Sequence, residues 1–349
     1  MGGATSQGES VRASAASLIA ADVGGTHARI ALLEAAPRDA DDFAILQYRK
    51  YACADYADLG VILGEFRSTL AGGGADRIAL AIAGYVIDDA IVNVNLPWSV
   101  SISALRRALG VRDLAIVNDF EAVAHAIGHV DASSATLLSG PPTAPPGPML
   151  IVGPGTGLGA ALRIPHPQRP VILATEAGQA TLAPETDLEF EILRELRTEG
   201  SRVQLERVLS GTGLTHLYRA IGAVRGTTAA MRTPAEITAA ALARTDVIAS
   251  ETVEVFCGWL GSTLGNLALL YGAQGGIYLA GGVLPQMKEL LLRSTFVERF
   301  LDKGAMRQVL ARTPVRLIEH AQLGVIGAAS WYLGNHSSDV RTPREASHA

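Results

Sequence analysis

The sequence is short of lysine and of cysteine, and each shortage excludes something. Its 349 residues hold three lysines, Lys50, Lys288 and Lys303, and none of them follows a glycine. A Walker A loop, in which a Gly-Lys-Ser/Thr tract brings a lysine to the phosphates, is therefore absent. The H-R-D catalytic loop of protein kinases is absent as well. Two cysteines, Cys53 and Cys257, stand far apart with no metal-type spacing. Buried free thiols in a reducing cytoplasm are the expectation. There is no run of Lys or Arg, and the net charge is −5. The chain thus has no general electrostatic reason to bind nucleic acid or an anionic membrane, and neither is expected as a partner. Long apolar runs are missing too. The longest charge-free stretch, Val255 to Met287, is interrupted by Asn266, Gln274 and several glycines. It reads as a buried helix and strand, not a membrane span. Residues 13–21 follow Arg12 but are Ala/Ser-rich and run straight into Asp22. They read as a loose tail and a first strand, with no targeting signal.

What is present fits a compact soluble protein: 48% of residues are apolar and 18% charged. At roughly 150 residues per domain, the length predicts about two domains. Flexible tails are expected at 1–17 and 336–349. Between them short β-like runs alternate with helical patterns, which predicts an α/β fold. Strands are expected at Ser17–Ala21, Arg29–Leu33, Arg77–Ala83, Leu114–Val117, Met149–Val152, Ala160–Ile164 and Ile277–Ala280. Thr233-Pro234-Ala235-Glu236 is a capping box with proline at the first helical position. Val253, Phe256, Cys257, Leu260, Leu264 and Leu267 share one helical face and predict core packing. The proline-rich stretch 139–148 predicts a loop.

Two glycine turns carry the functional signal. Asp22-Val23-Gly24-Gly25-Thr26 lies between two β-like runs, and Gly153-Pro154-Gly155-Thr156-Gly157 lies between two others. The pattern predicts two related halves. Glycine lets backbone N–H groups approach a phosphate closely and allows unusual dihedrals, and a threonine adds a hydroxyl donor. Either turn alone could serve hairpin geometry only. Gly155 to Ala160 also matches a loose G-x-G-x-x-A dinucleotide pattern, but it runs into strand-like sequence where that pattern should open a helix. Asp22 ends the first strand and could hold magnesium beside phosphates, directly or through water. Asp119 follows Asn118 at the end of the Leu114–Val117 strand. By spacing alone the pair reads first as a helix cap before Phe120 and second as a proton acceptor in a cleft.

Taken in order, DVGGTHAR (Asp22–Arg29), VNDF (Val117–Phe120), GPGTGLG (Gly153–Gly159) and LAGG (Leu279–Gly282) resemble the bacterial glucokinases of the hexokinase/actin-like ATPase superfamily. Weaker matches lie at 95–98, 206–211 and 320–329, so the likeness spans residues 18–335. The resemblance implies the two-domain actin-like, ribonuclease H-like fold with a central cleft. A small domain would hold 18–117 and 321–335, and a large one 118–320. It implies ATP and Mg²⁺, with Asp22 serving the metal, most naturally through water. Gly24, Gly25 and Thr26 would face the phosphates from one side, and Gly153, Gly155, Thr156 and Gly157 from the other. Gly281 and Gly282 would lie along the adenosine. Asp119 would be the general base on the 6-hydroxyl of glucose or a related hexose. Asn95, Asn118, Glu176, Gln179 and Glu206 would join Asp119 in holding the sugar. Homodimers are usual in the family, so a homodimer is expected.

Two positions depart from the family's pattern. Its sugar loop usually reads Glu-Gly-Gly-His; here it reads Glu176-Ala177-Gly178-Gln179. A glutamine can hydrogen-bond a hydroxyl but cannot titrate. His27 stands where asparagine is usual, and a structural role is expected for it. The departures keep two alternatives open, a kinase for another hexose and a sugar- or nucleotide-binding regulatory paralogue. The stretch before residue 18 is too short for a helix-turn-helix domain, which removes the repressor version of the superfamily. Retention of Asp22, Asp119 and both turns favours the enzyme.

Overall fold

The computed structural model describes residues 17–35, 43–71, 74–92, 96, 98–130, 135–197 and 201–336. Apart from Ser17 and His336, the expected tails lie outside the described residues, and so does Asn95. The chain divides into two compact units, one running to His129 and resuming at Ala321, the other being Val130–His320. On this division residues 118–129, grouped by the sequence with the second unit, go with the first.

The first unit is built on β1 (Ser17–Val23), β2 (His27–Ala35), β3 (Phe43–Ala52), β4 (Arg77–Ile82) and β8 (Asp113–Asn118). Between β4 and β8 lie β5 (Tyr85–Ile87), β6 (Ala90–Val92) and β7 (Val100–Ser101), a small separate sheet. The main sheet has the order β3-β2-β1-β4-β8; β1 pairs antiparallel with β2 and parallel with β4. β4 is buried along its whole length, as a central parallel strand should be. One face packs on α1 (Leu59–Ser68) and α2 (Ile102–Leu109) through Phe66, Leu63 and Leu105. The other packs on α3 (Asp119–Ala126) and α11 (Leu323–Asn335) through Ala122, Val325, Ala328 and Tyr332. Small residues let α3 and α11 pack backbone to backbone. A Cβ at Gly327 would fall 1.7 Å from the Ala122 carbonyl oxygen.

The second unit opens with β9 (Thr136–Ser139), β10 (Met149–Pro154), β11 (Leu158–Ile164) and β12 (Val171–Thr175). It continues through α4 (Asp187–Leu196), α5 (Gly211–Val224), α6 (Pro234–Ala243) and α7 (Val247–Tyr271). After β13 (Gly276–Leu279) come the short α8 (Lys288–Arg293), α9 (Phe296–Leu301) and α10 (Arg307–Leu310), then β14 (Val315–Leu317). Its sheet has the order β12-β11-β10-β13-β14-β9. The first five strands repeat the order and the parallel and antiparallel pairings of the first sheet. The two halves read from the glycine turns are therefore one topology used twice.

Local signals behave as their chemistry predicts. Thr233 and Glu236 form the reciprocal capping box of α6. Thr186 and Glu189 form a second box on α4 that the sequence reading missed. The α7 stripe is core: Phe256, Cys257, Leu260 and Leu264 are fully buried. α7 is long and apolar enough to cross a membrane, and 72% of its most apolar window is buried inside this unit. Both cysteines are free and buried.

Candidate active site

The two glycine turns are built alike. β1 ends at Val23 and β2 begins at His27, so Gly24-Gly25-Thr26 is a three-residue hairpin loop. Gly24 N–H donates to the His27 carbonyl at 3.0 Å, and Cys53 N–H donates to the Thr26 carbonyl at 2.9 Å. The buried Cys53 thiol donates to the Gly24 carbonyl at 3.4 Å, bracing the loop from below. In the second unit Gly155-Thr156-Gly157 spans Pro154 to Leu158. There Gly155 N–H donates to Gly157, and the Gly155 carbonyl accepts from Gly211 N–H at the start of α5, both at 2.8 Å. Gly24, Gly155 and Gly157 do not have positive φ. Unusual dihedrals, one of the two reasons offered for glycine, therefore do not apply at these positions. A Cβ at Gly155 would meet nothing within 4 Å, so this position leaves open space for a ligand. Gly155 to Ala160 enters β11 and opens no helix, which removes the dinucleotide pattern.

Asp22 is paired across the hairpin with Arg29, Nη1 to Oδ2 at 3.1 Å. The first turn of α11 lies directly on it, because a Cβ at Gly324 would come within 2.5 Å of the Asp22 carboxyl carbon. Burial pushes the Asp22 carboxyl above the usual carboxylate range, against the opposing charge and hydrogen bond of Arg29. Among the described residues no three His, Cys, Asp or Glu side chains cluster as a metal cage. One carboxylate fits magnesium, which keeps most of its waters and takes its other ligands from substrate phosphates. His27 has its titration pushed down by burial and by the neighbouring Lys50 and Arg29.

Asn118 and Asp119 both bond to the start of α3. Asn118 is the cap: its Oδ1 accepts from Phe120 N–H and Glu121 N–H, both at 3.0 Å. Asp119 is the first residue of α3, and its Oδ1 accepts from Phe120 N–H at 2.9 Å. Val23, Ile82 and Asn118 are level across three parallel strands. The first glycine turn and Asp119 thus sit at the same carboxyl edge of one sheet, two strand spacings or about 10 Å apart.

The second unit gathers the sugar-loop residues. Glu176 heads a single 3₁₀ turn, Ala177–Gln179. Gln179 Nε2 donates to Glu206 Oε1 at 2.7 Å, and Arg202 Nη1 donates to the Gln179 carbonyl at 2.7 Å. Gly178 is required by packing, since a Cβ there would lie 2.4 Å from the Leu158 carbonyl oxygen. Gly281 has φ +99°, and a Cβ there would lie 2.7 Å from the Pro154 carbonyl oxygen, so only glycine suits it. The Gly282 carbonyl accepts from Gln286 Nε2 at 3.0 Å. Gly281 and Gly282 thus follow β13 beside the second turn, and the start of α5 bonds to the same turn through Gly211. Cys53, Arg29, Arg202 and the Ser210-Gly211 helix start were not named as site residues from the sequence, although Arg29 and Ser210-Gly211 lie inside its matched stretches at 22–29 and 206–211. Ser210 also carries the signal of an N-cap residue, and its Oγ accepts from Gly213 N–H at 2.9 Å.

The sequence model of one family, described as Glucokinase, matches residues 19–335. The chain belongs to the glucokinase family. A glucokinase-like protein of Xylella fastidiosa (strain 9a5c) is 47% identical over 323 residues, 92% of this chain and 96% of that one. The crystal structure of a glucokinase from an Antarctic psychrotroph matches with a TM-score of 0.78 at 37% identity, covering 92% of this chain and 99% of that one. A ROK family glucokinase from Streptomyces griseus, solved in complex with glucose and AMPPNP, matches with a TM-score of 0.60 at 20% identity, covering 90% and 98%. With these neighbours the chain has the actin-like ATPase fold expected from its motifs.

Proposed function

We propose that this protein is an ATP-dependent glucokinase, transferring the γ-phosphoryl group to the 6-hydroxyl of glucose with Asp119 as general base. The observation that carries the reading is the level row of Val23, Ile82 and Asn118. It sets a phosphate-type turn and a carboxylate at the edge where open α/β sheets bind ligands. Family membership and the shared fold of a glucokinase holding glucose and AMPPNP support it.

The chemistry asks little covalent work of the protein, which aligns the groups and stabilises spreading charge. Asp119 takes the hydroxyl proton as the oxygen attacks phosphorus. Asn118, fixed as the cap, holds the backbone from which Asp119 projects. Gly25, Thr26 and Thr156 offer N–H and hydroxyl donors to phosphate oxygens, while Gly24 and Gly155, whose N–H groups close their own turns, leave space beside them, and Gly153 leads into the second turn. The positive end of α5, behind Gly155, favours the same anion. Gly281 and Gly282 face the adenosine. Asp22 would hold magnesium, which when bound would neutralise phosphate charge. Asn95, Asn118, Glu176, Gln179 and Glu206 hold the sugar hydroxyls, so that a sugar lacking one leaves a polar group unpaired.

The test is ATP-dependent phosphorylation of glucose by the parent and by Asp119→Ala. The variant is expected to lose about 10²- to 10⁴-fold in kcat while still binding glucose. Parent turnover that survives the substitution removes Asp119 as base. Gln179 favours a second reading, a kinase for another hexose, because its amide is committed to Glu206 where the family's imidazole could titrate. A parent inert with glucose but active on another hexose selects that reading. One inert with every sugar selects a binding-only paralogue.

A further inference from the structure

The family pattern gives Gly157 to the phosphates, along with the rest of its turn. We infer instead that Gly157 is a positioning residue for the sugar carboxylate Glu206. A Cβ built on Gly157 would lie 2.8 Å from Glu206 Oε2 and 3.8 Å from its carboxyl carbon. At Gly155, in the same three-residue loop, a Cβ would meet nothing within 4 Å. The two glycines of one turn therefore do different jobs: Gly155 leaves room for a ligand, and the room at Gly157 is taken by a side chain of the protein.

Glu206 is held from three directions. Oε2 rests over Gly157, Oε1 accepts from Gln179 Nε2, and the Glu206 Cβ lies 3.4 Å from where a Gly178 Cβ would be. Gln179 is fixed in turn by Arg202 at its carbonyl. The carboxylate thus ties the end of the phosphate-type turn to the sugar loop within a single unit. A methyl at 157 does not collide with backbone. It pushes the end of a flexible side chain, so the hairpin survives while the carboxylate moves off its bond to Gln179. Gly178 offers no such test, because a methyl there strikes the Leu158 carbonyl and disturbs the fold.

The inference rests on the reading that Glu206 holds a sugar hydroxyl, and the experiment separates the two. The full-length parent, Gly155→Ala, Gly157→Ala, Glu206→Asp and the Gly157→Ala/Glu206→Asp double variant are compared. KM for glucose, KM for ATP and melting temperature are measured for each. Gly157→Ala is expected to raise the glucose KM about 10- to 100-fold, since a misplacement near 1 Å costs about that much, with the ATP KM nearly unchanged. Gly155→Ala is expected to do the reverse. Shortening the carboxylate in the double variant makes room for the methyl and should recover part of the glucose KM. A Gly157→Ala enzyme that loses ATP affinity and keeps its glucose KM overturns the inference. If the parent turns over no sugar, the reading of the site has failed. The melting temperatures then decide the contact alone: non-additive losses at 157 and 206 keep it, and additive losses overturn it.

Discussion

At the residue scale the first unit hides carboxylates that burial makes reluctant to ionise. Glu121, two residues past the proposed base, is half-buried. Burial raises its titration above the usual carboxylate range, and a hydrogen bond from the Trp331 indole works the other way. A carboxyl raised in the folded state contributes stability fully at pH below its unfolded value and loses that contribution as pH climbs through its folded value. Glu121→Gln removes the charge and keeps an oxygen for the indole. The variant should melt above the parent at about pH 8, well past the carboxylate range, and the gap should close as pH falls through the raised titration of this carboxyl into the ordinary carboxylate range. A gap that is constant with pH would show that the charge is not the cause. Asp22 feels the same burial, but Arg29 is there to offset it.

At the element scale, the close crossing of α3 and α11 matters most, because α3 starts at Asp119. Gly327→Ala drives a methyl to 1.7 Å from the Ala122 oxygen and 2.3 Å from its carbonyl carbon, both backbone atoms that cannot step aside. The helices must part, and overpacking of this kind costs about 3 kcal/mol, or roughly 6–12 °C in melting temperature for a unit of this size. The same substitution at Gly64, inside α1, meets nothing within 4 Å. It should be neutral or add about 0.5–1 kcal/mol by improving helix propensity. Thermal melts of the two variants side by side check both signs; equal losses would contradict the crossing geometry. Both glycine hairpins were legible in the sequence because Gly-Gly-Thr and Gly-Thr-Gly stand between strong β-like runs. β14 was not: it has three residues, and one of them, Arg316, is buried with its guanidinium on the Pro142 carbonyl. β12 escaped notice for the opposite reason, being an edge strand whose Val171 and Leu173 are exposed and so follow no inside–outside rule. The Gln179–Glu206 contact joins residues remote in sequence, and no local pattern announces it. From the sequence Asn118 and Asp119 read together as a helix cap, and only the backbone geometry assigns the N-cap position to Asn118.

At the scale of the whole molecule, the chain enters the second unit on β9 and leaves it after β14, and these strands pair, with Thr136 opposite Leu317. That unit has a core of its own, from Leu150 through Trp259 to Leu317. The first unit is different, since one face of its sheet waits for Val325, Ala328, Ala329, Tyr332 and Leu333 of α11. A chain stopped after His320 should therefore keep a cooperative melt for the second unit and lose protection in the first. Limited proteolysis read by mass spectrometry should leave a core fragment within residues 130–320. Survival of residues 17–129 in that truncated chain would show that α11 is dispensable.

The same arrangement sets an order on the ribosome. Synthesis runs at about 5–20 residues per second, so roughly 10–40 s pass between the last residue of α3 and the first of α11. During that interval the unit made first stays open, with apolar Leu18, Leu33 and Val117 on a sheet face that α3 covers only in part. The unit made second can close around its own core in the meantime. The carboxylates proposed for magnesium and for proton transfer both lie in the part that is begun first and finished last. On the proposed roles, a nascent chain therefore completes the unit that holds Glu176, Gln179 and Glu206 before the unit that holds Asp22 and Asp119, which waits for α11.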